Sequence, residues 1–332
     1  AGASIALQHL FSFSSQTSGA AILAGSPYGC GVQTWHGITC YYGGLDDNTS
    51  IRYVERRHKQ NLIDDPVHLK NTKIVLFSGK RDFVVLPNVM KAVERQLNHF
   101  VDPSNIISFY NTSASHVWPT DKGLCPCGAC IWQNASGWAR RPCCNVNNCE
   151  LDFSGKMLMH LYSKEVKPRT RAITRNIRWV DQWRYLPAIA GNGTGSTMLR
   201  WAPVYVPKGC QHDVDKCHVH VNYHGCTNKP KSSSMASWWE RLLWVHNIGL
   251  NEYAEANDLV IVYPQAAGSD DVGEGCFNWA SYEDDPLFDT RLGVQLNTVV
   301  DLLNDLKRAL NHTWWGSDGE LVLDEYLAPP FE

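Results

Sequence analysis

The chain has 332 residues, with 30 Lys+Arg against 33 Asp+Glu and a formal net charge of −3. This near-neutral balance argues against a nucleic-acid-binding protein, which is usually basic. With 44% hydrophobic and 19% charged residues, the composition is that of a globular chain and not of a disordered one. No apolar run approaches the roughly 18 residues that a membrane span requires, so neither nucleic acid nor a membrane span is expected.

The predicted elements alternate between strands and helices along the chain. Short apolar strands are predicted at residues 20–24, Lys73–Phe77, 106–110, 204–207, 218–223 and 259–263, and helices at Pro87–Phe100, 235–257 and 290–310. This alternation predicts an α/β fold with a mostly parallel sheet and helices on both faces. Residues 191–196 are rich in glycine and are expected to connect two halves that share one sheet. We therefore expect a single domain over 1–313, a Cys-rich insertion at about 121–150 and an acidic, aromatic tail at 314–332.

Cysteines and glycosylation sequons indicate the compartment. The twelve cysteines are Cys30, Cys40, Cys125, Cys127, Cys130, Cys143, Cys144, Cys149, Cys210, Cys217, Cys226 and Cys276. An even number of mostly closely spaced cysteines is typical of disulfides in an oxidising compartment. The N-x-Ser/Thr sequons are at Asn48, Asn111, Asn134, Asn192 and Asn311. Together these features predict a secreted, extracellular glycoprotein. The alternative for the cluster at 125–149 is a zinc site, because C-x₂-C pairs bind zinc.

An acid–base pair is predicted where two neighbouring strands end. Asp82 follows the strand at Lys73–Phe77, and His116 follows the strand at 106–110. Loops at the carboxyl ends of parallel strands converge on one rim of the sheet. An Asp can fix the tautomer of a His there, and the His can then take a proton from a nucleophilic hydroxyl. The alternatives are a turn carboxylate and an ordinary surface histidine.

The start of the chain resembles the residues that follow the serine of a nucleophile elbow. The run Ala1-Gly-Ala-Ser-Ile-Ala6 has the small side chains that a helix needs behind such a tight turn. On this interpretation the nucleophilic serine lies just before Ala1. Ser4 is the second candidate, but it would lie within the first helical turn and face away from the rim. An ordinary helix start with small residues is the alternative.

A turn at His224-Gly225-Cys226 is the remaining part of the predicted active site. A His-Gly-x turn after a strand supplies one backbone N–H to an oxyanion hole, and the residue after the nucleophile, here Ala1, supplies the other. In ordinary α/β-hydrolases this turn precedes the nucleophile. Here it follows the histidine, which indicates a circularly permuted order of strands.

At this point the sequence resembles a known family, the extracellular poly(3-hydroxybutyrate) depolymerases of the circularly permuted α/β-hydrolase type. The matching stretches follow the family's order over nearly the whole chain, at residues 21–30, 76–85, 87–90, 115–121, 218–226, 262–266, 275–279 and 293–295. The family's serine aligns immediately before Ala1. The Cys-rich stretch and the acidic tail exceed the family pattern.

The resemblance implies a role for several residues of this chain. Asp82 and His116 would be the catalytic partners of the serine, Ala1 and Cys226 the oxyanion donors, and Trp279 would lie beside the ester-binding crevice. Disulfides Cys226–Cys276 and Cys210–Cys217 are also implied, and Cys30 and Cys40 are expected among the disulfide cysteines. The alternative for Trp279 is a packing role, since the chain has thirteen tryptophans.

Two functions are compatible with these features. The first is a secreted serine esterase that hydrolyses polyester or other acyl esters. The second is an inactive, glycosylated scaffold or binding protein, a component of an extracellular assembly, that keeps the hydrolase fold. No metal or cofactor is predicted, because the chain contains no H-E-x-x-H, no Walker loop and no G-x-G-x-x-G after a strand.

Overall fold

The structure is a computed structural model that describes residues 1–34, 38–43, 45–123, 125–128, 145–162, 166–187, 197–226, 243–269, 273–280 and 285–311. Its α-helices are Gly2–Ser12 (α1), Cys30–Gln33 (α2), Ile38–Tyr42 (α3), Asp47–Lys59 (α4), Pro87–Phe100 (α5), Phe153–Tyr162 (α6), Leu250–Asn257 (α7), Val294–Asn304 (α8) and Leu306–Asn311 (α9). Short 3₁₀-helices lie at Pro66–Asn71, Pro103–Asn105, Thr174–Asn176, Gln182–Tyr185, Lys208–Cys210 and Val214–Lys216.

The strands form two main sheets. Strands Gly19–Leu23 (β1), Lys73–Phe77 (β2) and Ile106–Phe109 (β3) make a parallel sheet in the order β1-β2-β3. The second sheet contains Ile177–Asp181 (β7), Trp201–Tyr205 (β8), His218–Val221 (β9) and Leu259–Val262 (β10). Its strands lie in the order β7-β8-β10-β9. Smaller pairings join Trp118–Thr120 (β4), Cys125–Pro126 (β5) and Val146–Asn148 (β6), and Gly268–Ser269 (β11) with Gly273–Glu274 (β12).

Helices cover the parallel sheet on both faces because alternate strand residues point to opposite sides. Val75 and Phe77 of β2 pack in one core with Met157 of α6. Ile74 and Leu76 pack in another with apolar residues of α1 and α5. In the second sheet, Ile261 of β10 packs on the α7 side, and its neighbours Val260 and Val262 pack against α8 and α9. The result is a layered α/β architecture.

Three sequence predictions are corrected. The helix predicted at 235–257 is interrupted, because Gly249 has a left-handed φ of 83° and α7 begins only at Leu250; residues 235–242 lie outside the described residues. The helix predicted at 290–310 begins at Val294 and is divided at Asp305. In the described residues the two halves of the chain form separate sheets instead of one shared sheet. The second sheet is also not mostly parallel: β8 is antiparallel to both β7 and β10, and only β9 and β10 are parallel.

Disulfides join Cys30–Cys40, Cys127–Cys149, Cys210–Cys217 and Cys226–Cys276. The Cys127–Cys149 bond removes two cysteines of this cluster as zinc ligands, because zinc binds the thiolate. Cys130, Cys143 and Cys144 lie outside the described residues. Within the described part of the chain, no group of three or more His, Cys, Asp or Glu side chains could hold a metal ion.

The sequons fall in different settings. Asn48, in α4, and Asn111, after β3, are exposed, and Asn311 is the last residue of α9. Asn134, Asn192 and the tail at 314–332 lie outside the described residues, as does most of the predicted insertion. No helix among the residues that the structure describes has the length and apolar character needed to cross a membrane.

Candidate active site

Asp82 and His116 meet at the carboxyl edge of the parallel sheet. The Asp82 Oδ2 atom lies 2.9 Å from His116 Nδ1. The Asp82 side chain is fully buried, whereas that of His116 is 34% exposed. The second oxygen of the carboxylate, Oδ1, accepts the backbone N–H groups of Val84 and Val85, both at 2.9 Å. The carboxylate is therefore held from both sides, and the outer face of the imidazole is open to an approaching group.

Backbone contacts between the two loops fix this geometry. The Lys80 N–H donates to the Thr112 carbonyl at 2.8 Å, and the Arg81 N–H donates to the Ala114 carbonyl at 3.0 Å. A Cβ at Gly79 would clash with that Ala114 carbonyl. Glycine is required because the two backbones approach so closely. The distance between Asp82 and His116 is thus set by main-chain contacts.

The start of α1 lies against the end of β9. A Cβ at Gly2 would clash with the carbonyl group of His224, so helix α1 begins in direct contact with the turn that follows β9. Ala1, at the start of this helix, is partly buried and packs against an apolar core that includes Ile5 and Phe277.

The turn at 224–226 is held by the His224 side chain and by a disulfide. The buried His224 accepts the Ala266 N–H at Nε2 (3.3 Å), so its proton is on Nδ1, which donates to the Gly225 carbonyl at 2.6 Å. Its ring also packs on that of Phe277, 4.8 Å away. The Cys226–Cys276 bond fixes the next residue. His224 thus acts as an anchor for the turn, a role that the sequence motif did not reveal.

One cavity of about 970 Å³ brings these parts together. Ala1, Gly2, His116, Gly225 and Cys226 all line it. The predicted donors and the predicted base therefore share a single space, although they come from three separate stretches of the chain.

Buried polar groups also face this cavity. His9 Nδ1 and the Tyr223 hydroxyl are hydrogen-bonded at 2.7 Å, and both residues line the cavity. Burial lowers the pKa of His9 to about 4 and raises the pKa of Tyr223 above its usual range. Both groups are therefore neutral at pH 7. Neither residue belongs to a motif that is recognisable in the sequence.

Neither Trp279 nor Ser4 lines this cavity. Trp279 is buried and packs edge-on against Tyr41, with ring centroids 4.8 Å apart. Tyr41 itself lines the cavity, so Trp279 supports the wall from behind. Ser4 lines a separate, small crevice beside Trp279. That position agrees with the expectation that Ser4 faces away from the rim.

Comparisons with known proteins agree on one family. No family model matches the chain. It is 27% identical over 291 residues to a poly(3-hydroxybutyrate) depolymerase of Delftia acidovorans, a match that covers 86% of this chain and 53% of that protein. It is also 27% identical over 293 residues to a polyhydroxybutyrate depolymerase of Talaromyces funiculosus, with 85% of this chain and 79% of that protein covered.

The chain resembles the poly(3-hydroxybutyrate) depolymerases in both sequence and fold. Two solved depolymerase structures support this, one a serine-to-alanine variant complexed with an R3HB trimer and the other from Penicillium funiculosum. Their TM-scores are 0.73 and 0.72 at 25% identity, with 91% of this chain covered in each case, and 92% and 91% of theirs. The fold is therefore of the α/β-hydrolase type that the resemblance implied. The chain spans about half the length (53%) of the Delftia depolymerase.

Proposed function

We propose that the chain hydrolyses carboxylic esters, with poly(3-hydroxybutyrate) or a similar polyester as substrate, through a Ser-His-Asp triad. The observation that carries the proposal is the Asp82–His116 pair, 2.9 Å apart, which opens on the cavity shared by Ala1 and the turn at Gly225-Cys226. The nucleophile in this proposal is a serine joined directly to Ala1. Its hydroxyl would then reach the rim beside His116.

The orientation of His116 suits a general base. Asp82 accepts a hydrogen bond from Nδ1, which leaves Nε2 to take the proton of the serine hydroxyl. The serine oxygen then bonds to the ester carbonyl carbon, and the ester C–O bond breaks. His116 gives its proton to the departing alcohol oxygen. A water molecule, deprotonated by His116 in turn, attacks the acyl-serine and releases the hydroxy acid.

Two backbone N–H groups are the proposed oxyanion donors. The amide N–H of Ala1, once acylated by the preceding residue, and the N–H of Cys226 both border the cavity. Donors of this kind stabilise the tetrahedral intermediate, and loss of one costs about 10²- to 10³-fold in kcat. The contact between Gly2 and His224 supports this arrangement, because it holds the two donors at one end of the cavity.

Secretion and glycosylation belong to the same proposal. Disulfide bonds throughout the described residues are typical of an oxidising, extracellular compartment. The sequon asparagines Asn48 and Asn111 are exposed and thus accessible to glycosylation. A secreted enzyme would also meet a polymeric substrate that cannot enter a cell.

Fluorophosphonate labelling of the native protein, followed by mass mapping of its N-terminal peptide, tests the proposal. We expect a label on a serine joined to Ala1, and loss of that label in a His116→Ala variant and in heat-denatured protein. Release of hydroxy acid from a polyester film should follow the same pattern. A folded protein that takes up no label at this serine would contradict the proposal and favour a binding role.

A further inference from the structure

Two tryptophans meet beside the cavity of the candidate site. Trp118 lies in β4, two positions after His116, and Trp244 lies in the helical turn at residues 243–247, just before the break at Gly249. Their rings pack edge to face, with centroids 5.5 Å apart and an angle of 80° between the planes. Both residues line the cavity of about 970 Å³. The pair therefore connects the loop of the proposed base to a distant part of the chain.

The indole of Trp244 is attached to the second sheet. Its Nε1–H donates to Asn222 Oδ1 at 2.8 Å. Asn222 directly follows β9, is buried, and donates its own backbone N–H to the Val262 carbonyl of β10 at 2.9 Å. Two positions further along the chain, His224 begins the turn that carries the proposed oxyanion donor Cys226. Trp244 is thus hydrogen-bonded to the residue that leads from β9 into this turn.

Trp118 is held on its own side of the pair as well. Its Nε1–H donates to the Ile248 carbonyl at 3.1 Å, and its ring packs edge-on against Phe153 of α6, with centroids 5.5 Å apart. Trp118 is buried, and its backbone pairs with Val146 of β6. Because only one residue separates Trp118 from His116, a displacement of Trp118 moves the His116 backbone with it.

The two contacts of Trp244 restrict its position in different ways. An indole ring is rigid and buries a large area, so its packing on Trp118 sets how closely the His116 loop can approach. A hydrogen bond is directional, so the bond to Asn222 fixes the edge of the indole over the end of β9. Together the two contacts set the distance between His116 and the turn at residues 224–226.

We propose that Trp244 is a positioning residue, which holds the loop of His116 at a fixed distance from the turn that carries the Cys226 N–H. The catalytic consequence rests on the proposed esterase function, whereas the positioning itself does not. A base and an oxyanion donor must act on the same carbonyl group, so a displacement of about 1 Å between them can cost about 10²-fold in rate. The alternatives are that Trp244 contacts the substrate directly or that it contributes packing alone.

The ring resonance of His116 tests the positioning without any need for activity. It can be observed in protein isotope-labelled at its histidines and assigned with His116→Ala. Asn222→Ala removes the acceptor of the indole but leaves both tryptophan rings in place, and we expect it to shift the His116 signal from the other sheet. Asn176→Ala is the matched control: Asn176 is also buried and accepts a side-chain N–H at 2.8 Å, from Gln211, but does not line the cavity. It should leave the signal unchanged.

Kinetics on a soluble short-chain ester give the second measurement. Trp244→Phe keeps most of the packing and loses the indole donor, so kcat should fall about tenfold while KM stays within about twofold. Asn222→Ala should have a similar effect, and the double variant should be no worse than either single one, because both remove the same hydrogen bond. Trp201→Phe, at a partly buried position in β8 that does not line the cavity, should keep the activity of the parent.

Each alternative gives a different result. A rise in KM at constant kcat would mean that Trp244 contacts the substrate. A lower melting temperature with an unchanged kcat would mean that it contributes packing alone. Either result overturns the proposal, and so does an unmoved His116 signal in Asn222→Ala, whatever the kinetics. If Trp244→Phe does not fold, Asn222→Ala still removes the same hydrogen bond from the opposite side.

The positioning role and the proposed activity can fail separately. A displaced His116 signal in Asn222→Ala, in a protein that neither hydrolyses esters nor takes up fluorophosphonate, would support the positioning by Trp244 and contradict the esterase. An active parent whose Asn222→Ala and Trp244→Phe variants keep both kcat and the His116 signal would do the reverse.

Discussion

The two sheets position their parts of the candidate site by different means. At the end of the parallel sheet, main-chain hydrogen bonds between the loops after β2 and β3 set the distance from Asp82 to His116. At the end of β9, the turn depends on one side chain, His224, and on the Cys226–Cys276 bond. The first arrangement leaves its polar side chains available for chemistry. The second uses its side chains for structure.

This contrast predicts different results of mutation. A change at His116 should affect activity and leave the fold intact, because its side chain is partly exposed. A change at His224 or Cys226 should reduce the free energy of unfolding as well. Measuring both quantities for each variant separates the two regions.

The largest effect is expected for His116→Ala. Loss of the general base should lower kcat/KM on a soluble short-chain ester by about 10⁴-fold or more. The melting temperature should fall by about 5 °C or less, because His116 is partly exposed and the Asp82 carboxylate keeps its two backbone donors. The partly exposed His58 provides the control, because His58→Ala removes a similar ring far from the cavity. Activity within tenfold of the parent would contradict the role of His116.

Asp82→Asn should cost about 10³- to 10⁴-fold in kcat/KM. Oδ1 can still accept the N–H groups of Val84 and Val85, but an amide NH₂ would then face His116 Nδ1 and favour the wrong tautomer. Asp285→Asn is a matched control, because Asp285 also accepts two backbone N–H groups, from Leu287 and Val294. Asp285→Asn should keep its activity within about threefold, and an equal loss in both variants would indicate a structural role for Asp82.

The sequence was sufficient for the parts of the site that depend on local pattern. Strand Lys73–Phe77 and helix Pro87–Phe100 have the predicted bounds, because a continuous apolar run and a proline at a helix start are strong local signals. These elements place Asp82 at a strand end, next to a loop that carries His116. Their proximity could therefore be predicted from topology.

Features that depend on distant contacts could not be predicted in this way. His224 anchors its turn through Ala266, which is 42 positions away. Sheet pairing is also non-local, so the separation of β1 from β9 left no trace in the sequence pattern. The break at Gly249 was missed because the apolar, aromatic pattern continues across it, although its left-handed backbone ends the helix.

The disulfide that holds the turn should contribute more stability than the local one. The Cys226–Cys276 bond closes a separation of 50 residues and Cys210–Cys217 one of 7. Loop-closure entropy then predicts a loss of about 4 kcal/mol for Cys226→Ala/Cys276→Ala and about 2 kcal/mol for Cys210→Ala/Cys217→Ala. Urea unfolding of both double variants measures the difference. Equal losses would mean that strain or residual structure outweighs chain entropy.

Variants of His224 can separate the contributions of its two hydrogen bonds to the free energy of unfolding. His224→Leu leaves the buried Ala266 N–H and the Gly225 carbonyl without this partner, which should cost about 1–3 kcal/mol and reduce activity. His224→Asn can restore the donor near Nδ1, and His224→Gln the acceptor near Nε2. We expect partial recovery of stability with each, measured by urea unfolding. A stable, fully active His224→Leu protein would show that the disulfide alone fixes the turn.

The stability of the fold should also depend on pH. Burial lowers the pKa of both His9 and His220 to about 4, whereas the unfolded chain titrates near 6.5. Between these values the unfolded state binds more protons, so the free energy of unfolding falls as the pH decreases from 6.5 to 4. Each histidine contributes at most about 1.4 kcal/mol per pH unit.

Single variants show which histidine causes this dependence of the unfolding free energy on pH. His9→Gln and His220→Gln should each flatten the fall in unfolding free energy between pH 6.5 and 4, whereas His58→Gln, at a partly exposed position, should leave it unchanged.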